Sequence, residues 1–158
     1  MSSHRVEIRI DDRYGSRVDP APLREAAEET LVQQSVDDEC DLTVVVTGAR
    51  VLRELNRRHR GVDTATDVLA FPGKAEGPFV HASGGPSYLG DVIISFPQAE
   101  AQAQAAGNTL SAELQLLVVH GILHLLGYDD QTEREAAHMW AVQQAVLDQL
   151  GVRVHFRD

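Results

Sequence analysis

Two histidines stand four residues apart in the apolar stretch HGILHLLGYDD, which runs from His120 to Asp130. On a helix, side chains at this spacing lie about one turn apart on the same face, so both imidazoles can point at one atom. Gly127 follows, where a positive φ would end the helix and turn the chain back. Asp129 or Asp130 then comes within reach of that atom. The spacing predicts a metal site with His120 and His124 as two of its ligands.

The pattern H-x-x-x-H-x-x-G-x-x-D has the ligand spacing of the metzincin zinc proteases. Those enzymes have a glutamate directly after the first histidine, which acts as general base for the attacking water. This chain has Gly121 at that position, and glycine cannot accept a proton. The pattern therefore indicates a hydrolytic metal centre without the protease base, and a metzincin-like metalloprotease stays open as an alternative.

The elements that must position this site alternate along the chain. Apolar alternation and β-branched runs predict four strands, at residues 5–11, 40–48, 66–72 and 88–96. Helical periodicity predicts five helices, at about 20–35, 49–59, 97–106, 111–126 and 131–149. In the last helix the residues expected to face inward are Ala136, Met139, Trp140, Val146 and Leu150. The expected fold class is α+β: a small mixed four-stranded sheet packed by about five helices, with a central metal-binding helix.

Length and composition predict a single domain over residues 1–158, because 158 residues suit one hydrophobic core. Cys40 is the single cysteine, so an intramolecular disulfide is excluded. The first residues lack the apolar core of a signal peptide, and no segment approaches the roughly 18 apolar residues of a membrane span. We therefore expect a cytoplasmic protein without a membrane partner.

The net charge of −10 argues against broad, unspecific binding to nucleic acid. The segment RVLRELNRRHR, residues 50–60, is the exception, with five arginines and one acidic residue. Arg53, Arg57 and Arg58 are candidates to guide an RNA backbone by charge, with a solvated helix face as the alternative interpretation.

Three segments together resemble the YbeY family of bacterial endoribonucleases, also called rRNA maturation factors. They are HGILHLLGYDD at 120–130, ELNRRHRGVDTATDVLAFP at 54–72 and LGDVIIS at 89–95. The resemblance implies a small α+β domain that binds one zinc ion on its central helix. It also implies single-strand-specific cleavage of RNA, with roles in rRNA maturation and ribosome quality control. Expected partners are then rRNA and the ribosome rather than DNA, and protein partners stay open.

Carried over residue by residue, the resemblance makes His120 and His124 metal ligands and makes Arg60 the functionally important arginine of the family. The chain departs from the family at Asp130, where the family usually has a third histidine. A carboxylate can bind zinc, but it cancels one unit of the ion's charge and should acidify bound water less. Two histidines and one carboxylate also bind non-haem iron, so another divalent metal stays open.

Two further alternatives concern the third ligand and the role of the metal. Asp129 or His138 could replace Asp130 as the third ligand, although His138 is expected on the surface of the last helix. A non-catalytic, ribosome-associated metal-binding factor is the other alternative. Structural zinc usually has four protein ligands, and the sequence names three, so an open coordination position and catalysis are favoured.

Overall fold

A computed structural model of the chain describes residues 4–36, 40–61, 66–73 and 88–155, with Arg60 described for its backbone only. Four strands form one sheet in the order β1–β2–β4–β3. The strands are β1 (Arg5–Ile10), β2 (Asp41–Thr47), β3 (Val68–Pro72) and β4 (Tyr88–Ser95). The first three in this order are parallel, and β3 runs antiparallel to β4. The prediction of a mixed four-stranded sheet is confirmed.

Five α-helices pack on this sheet, as predicted for an α+β fold. They are α1 (Pro20–Gln33), α2 (Ala49–Arg60), α3 (Phe96–Ala106), α4 (Leu110–Leu125) and α5 (Glu133–Leu150). Side-chain oxygens cap four of the N-termini, at Asp19, Ser95, Thr109 and Thr132. These caps explain why the helices begin close to the predicted residues. A short 3-10 helix at Asp12–Tyr14 was not predicted.

The helices lie on opposite faces of the sheet. Side chains alternate between the two faces along each strand, so neighbouring residues belong to different cores. Val92 and Ile94 of β4 pack in the core that includes α1, α4 and α5. Ile93 packs on the other face, where Leu52 and Leu55 of α2 cover it. The arginine-rich helix α2 and the histidine-bearing helix α4 are therefore separated by the sheet.

Helix α4 is the central helix of the domain. It contacts α1, α3 and α5 as well as strands β3 and β4. Its buried residues occupy all sides of the helix rather than one stripe, as expected for a helix surrounded by protein. No helix in the described part of the chain is long and apolar enough to cross a membrane.

One predicted core residue of α5 lies at the surface. The helix buries Met139, Gln143, Val146 and Leu147, which recur at helical spacing on one side. Trp140 follows Met139 by one residue, which rotates it about 100° away from that side, and it is 45% exposed. The prediction that Trp140 faces inward is therefore wrong.

Candidate metal centre

The two histidines of α4 point at each other on the same side of the helix. Their Nε2 atoms lie 3.1 Å apart. Their ring planes are 76° apart and their ring centroids 4.6 Å apart. The i, i+4 spacing therefore brings both imidazoles to one point, as the sequence predicted.

Both Nδ1 atoms are already engaged, and this fixes the tautomers. Nδ1–H of His124 donates to the backbone carbonyl of Tyr128 at 3.0 Å. Nδ1–H of His120 donates to Oε1 of Gln143, also at 3.0 Å. In the neutral rings, both Nε2 atoms are then unprotonated, with their lone pairs directed at the same region. Two acceptor nitrogens facing each other at this distance suit a cation between them.

Asp130 completes a three-residue group. Its Oδ2 lies 3.9 Å from Nε2 of His124, and one ligand atom from each of His120, His124 and Asp130 lies within 4.8 Å of the others. Ligand atoms bound to tetrahedral zinc at 2.0–2.2 Å are about 3.4 Å apart. The group therefore has the donor types and the approximate spacing that zinc requires. Their assignment as ligands stays a prediction.

The two alternative ligands occupy other positions. Asp129 accepts a hydrogen bond from the backbone N–H of Asp130 at 2.8 Å, so its carboxylate shapes the turn. His138 stacks on the ring of Tyr128, with centroids 5.5 Å apart, on the exposed side of α5. Neither belongs to the three-residue group among the described residues.

The end of α4 is what places Asp130 beside the histidines. Gly127 has a φ of 101°, a left-handed conformation that suits glycine, and reverses the chain as predicted. Tyr128 then donates its backbone N–H to the carbonyl of Leu123 at 3.0 Å. Its hydroxyl donates to Oε1 of Gln34 at 2.6 Å, which ties the turn to α1. The Tyr128 carbonyl accepts the hydrogen bond from His124. Two further hydrogen bonds, from the backbone N–H and from the hydroxyl of Tyr128, hold this residue in position.

The surroundings of His120 favour its neutral form. Burial lowers the pKa of His120, and the neighbouring His124 lowers it further. The hydrogen bond that His120 donates to Gln143 and the charges of Asp67 and Asp130 act in the opposite direction. Because a metal binds the neutral imidazole, the lowered pKa favours coordination over protonation.

Gly121 sits where α4 packs tightly against the sheet. A Cβ atom built on this glycine would lie 2.5 Å from Cγ1 of Val92 on β4. A side chain at this position requires Val92 or the helix to shift. At the position that bears the general base in metzincins, this chain therefore has a glycine packed against Val92, and that glycine provides no side chain to act as the base of a protease mechanism.

A cleft of about 650 Å³ lies in front of the histidines. Strand β3 forms one wall, with residues 68–71, and α4 and its following turn form the other. His120, His124 and Asp130 all line it. The three-residue group is therefore accessible to a substrate in this cleft.

A family model described as Endoribonuclease YbeY matches residues 10–151 of the chain. The chain belongs to this family. The endoribonuclease YbeY of Roseiflexus sp. strain RS-1 is 38% identical over 153 residues, which cover 96% of each chain. That of Moorella thermoacetica is 42% identical over 134 residues, which cover 83% of this chain and 86% of the relative. The resemblance predicted from three sequence motifs is confirmed.

A solved structure agrees with the fold. The solution structure of a Thermotoga maritima protein matches with a TM-score of 0.60 at 26% sequence identity, and the match covers 92% of this chain and 88% of that chain. Membership in the YbeY family supports an endoribonuclease role, that is, a hydrolase that acts on RNA.

The arginines predicted to act on RNA lie on α2, across the sheet from the YbeY histidine motif. Arg57 pairs with Glu54 through two hydrogen bonds, of 2.6 and 3.2 Å, and its side chain is half exposed. Arg53 and Arg58 are exposed. Of the described arginine side chains, none lines the cleft. Arg60 ends α2, but its side chain lies outside the described residues, so its predicted catalytic role stays a prediction.

Sequence analysis missed two residues that position the YbeY histidines. Tyr128 belongs to the motif, but nothing in the sequence indicated that its backbone carbonyl accepts a hydrogen bond from His124. Gln143 lies 23 residues after His120 on α5 and gave no signal, because its role depends on how α5 packs against α4. Two aspartates close to the starts of β3 and β4 lie in different surroundings. Asp91 is buried and accepts a hydrogen bond from Tyr88, whereas Asp67 lines the cleft beside His120.

Proposed function

We propose that this protein is a metal-dependent endoribonuclease that cleaves single-stranded RNA in the maturation and quality control of rRNA in the bacterial cytoplasm. Membership in the YbeY family supports RNA as the substrate. The observation that supports metal binding is the 3.1 Å separation of the Nε2 atoms of His120 and His124, with the Asp130 carboxylate beside them. One zinc ion fits this donor set, and its identity is part of the proposal.

When bound, zinc supplies a Lewis acid that polarises a phosphate oxygen and acidifies a water molecule. The chain's own residues then decide how well that chemistry works. Gln143 and Tyr128 hold the Nδ1 protons, so both Nε2 atoms keep their lone pairs for coordination. Asp130 contributes a negative charge, which reduces the net charge of the site compared with three neutral imidazoles. A higher pH optimum, or a preference for another divalent ion, follows from that charge.

Arginines complete the proposed mechanism. The Arg60 guanidinium binds the scissile phosphate and stabilises the charge that develops in the transition state. Arg53, Arg57 and Arg58 attract the RNA backbone by charge alone, and this attraction weakens as salt rises. Since α2 lies on the other face of the sheet, RNA that contacts these three arginines must pass around the β3 edge to reach the cleft.

The two alternatives predict different behaviour. A metalloprotease needs a general base, and Gly121 packs against the sheet at the position where metzincins have theirs. A non-catalytic factor would have a fully coordinated structural ion, whereas the group in the described residues has three members. An open coordination position in a cleft favours catalysis.

The experiment is RNA cleavage by purified protein in three states: untreated, stripped with chelator, and stripped with zinc added back. We expect cleavage of single-stranded rRNA fragments that disappears on stripping, returns with zinc and is absent in His124→Ala. His138→Ala is the matched control, since it removes an exposed imidazole outside the three-residue group. Activity that persists in His124→Ala, or chelator-sensitive proteolysis without RNA cleavage, would contradict the proposal.

The third ligand has its own test. Asp130→Ala should lower zinc occupancy, and Asp130→His should restore or improve it. Asp129→Ala is the control, because that carboxylate bonds the backbone of the turn. If occupancy is unchanged in Asp130→Ala, Asp130 is not a ligand.

A further inference from the structure

A second cavity, of about 300 Å³, lies on the other side of His120 from the turn. We call it the side pocket; among its lining residues are Gln102 and Ala106 of α3, Glu113, Leu116 and Leu117 of α4, and Gln143 of α5. Asp67 and His120 line both the side pocket and the cleft. The two cavities therefore lie next to each other at a proposed metal ligand, so a group in the side pocket would lie close to a phosphate in the cleft.

The side pocket contains a buried carboxylate, Glu113, which is 5% exposed. Asn108 donates to its Oε1 at 3.3 Å, and the described residues provide no hydrogen bond to its Oε2. Asn108 itself is fixed by two hydrogen bonds to the backbone of His155, of 2.9 and 2.6 Å. A buried carboxylate with one neutral donor is poorly compensated for the loss of water. Burial raises the pKa of Glu113, and the charge of Asp67 adds to that rise.

The remaining lining of the side pocket combines polar residues, among them Gln102, Gln143 and His155, with two leucines and two alanines. Leu116 and Leu117 are buried on one side, and alanines near the end of α3, at 105 and 106, form the opposite wall. Asp67 accepts a hydrogen bond from Gln102 at 3.2 Å, so this second carboxylate is held in place. Apolar side chains beside carboxylate acceptors suit a planar ligand that has N–H donors on its edge. The volume is at the small end for ligand pockets, which suits one nucleobase.

We propose that the side pocket binds an unpaired guanine of the RNA, whose N1–H and N2 amino group both donate to the Glu113 carboxylate. The inference rests on the proposed function and names a base preference for it. Guanine presents two adjacent donors on its Watson–Crick edge, which match the two carboxylate oxygens. Adenine and cytosine place an acceptor nitrogen beside their amino group, and uracil flanks its single N–H with two carbonyls. Each of these would direct a lone pair at the carboxylate.

This arrangement also selects single strands. In a duplex the Watson–Crick edge of guanine already bonds cytosine, so a paired guanine cannot donate to Glu113. The base must leave its stack to enter the side pocket, which favours RNA that is already unpaired. The shared boundary at Asp67 and His120 then places the cleaved phosphate next to the bound guanine.

The test compares cleavage of short oligouridines that contain one central guanosine, adenosine or inosine. We expect the guanosine oligonucleotide to have the highest kcat/KM by about 10–100-fold, in line with the discrimination of a bidentate contact. Inosine lacks the N2 amino group and should lose most of that preference. Glu113→Gln replaces one acceptor oxygen with an amide and should reduce the guanosine preference about tenfold. Glu133→Gln, the same change on the exposed start of α5, is the control.

A second variant tests the cavity rather than the carboxylate. Ala106→Leu fills the side pocket from α3 and should abolish the guanosine preference as Glu113→Gln does. If both variants keep the preference of the wild type, the pocket assignment is wrong.

Binding of guanosine monophosphate to metal-free protein, followed by NMR, separates this inference from the proposed function. Shifts at Glu113 that vanish in Glu113→Gln would support the side pocket even if no RNA is cleaved. Efficient RNA cleavage with no base preference and no binding of the nucleotide would overturn the side pocket and leave the proposed function intact.

Discussion

Gly121 of α4 and Val92 of β4 are in such close contact that a Cβ atom on the glycine would lie 2.5 Å from one valine methyl and 3.1 Å from the other. Val92 is completely buried, so its methyl groups have no solvent into which to move. Gly121 directly follows His120, and the contact therefore sets how close the histidine-bearing helix lies to the sheet.

Gly121→Ala should destabilise the fold through this contact. Overpacking a buried contact costs about 1–3 kcal/mol. Alanine is a better helix former than glycine by about 1 kcal/mol. A net loss in the free energy of unfolding would therefore come from the contact with Val92 and not from a change in helix propensity. The difference between these two effects is an expected net loss of up to about 2 kcal/mol, measured by urea unfolding. In a Val92→Ala background, the added methyl group should be tolerated, which a double-mutant cycle would reveal as coupling. Equal losses in both backgrounds would contradict this explanation.

Gln143→Leu should weaken zinc binding without removing a ligand. The Gln143 amide oxygen accepts the Nδ1 proton of His120, and leucine of similar size leaves that proton without an acceptor. Loss of such a partner typically lowers metal affinity about 10–100-fold. Gln143→Glu retains an acceptor and should restore affinity, measured by competition with a chromophoric chelator. Gln144→Leu is the matched control, because Gln144 bonds Asp148 on its own helix. Unchanged affinity in the leucine variant would show that Gln143 does not orient the histidine.

His124 and Gln143 show which parts of the candidate site could be predicted from the sequence alone and which could not. The two histidines, the glycine turn and Asp130 are neighbours along the chain, so helix geometry and one positive φ were enough to bring them together. Gln143 is a neighbour only because α5 folds back onto α4, and no local pattern encodes that packing. The same limit explains Trp140. Its apolar character predicted burial, but the side of α5 that faces the core depends on the partners of the helix.

The arginines of α2 illustrate a second limit. Helical periodicity indicates that α2 has one apolar side, and Leu52 and Leu55 on that side are buried. It could not predict which face of the sheet they cover, because both faces present apolar side chains along β2 and β4. The sequence therefore placed Arg53 and Arg57 near RNA in the expected mechanism, while the fold puts their helix across the sheet from the histidines.

Glu113 should make the folded state less stable as pH rises. A carboxyl group whose pKa is raised by folding binds its proton more tightly in the folded state. Its stabilising effect is then complete below the unfolded pKa, about 4.3, and is lost as pH rises through the folded pKa. Glu113→Gln mimics the protonated group and still accepts the Asn108 hydrogen bond. We expect this variant to melt at a higher temperature than wild type at pH 7 and at a similar temperature near pH 4.

Thermal unfolding followed by circular dichroism at both pH values checks this prediction. Glu133→Gln, at the exposed start of α5, should show no comparable difference between the two pH values. A Glu113→Gln variant that melts below the wild type at pH 7 would mean that the carboxylate stabilises the fold, contrary to the expected sign.

Arg60→Ala should separate catalysis from binding of the RNA backbone. If the guanidinium stabilises charge in the transition state, its removal should lower kcat by about 10²–10³-fold. Zinc content and melting temperature should stay at wild-type values. Arg60→Lys keeps the charge but not the forked geometry and should recover only part of the activity. Arg53→Ala should instead weaken RNA binding, with a salt slope reduced by about one. Arg134→Ala, an exposed arginine on α5, is the control. Loss of zinc or of the folded state in Arg60→Ala would make the arginine structural and would remove it from the mechanism.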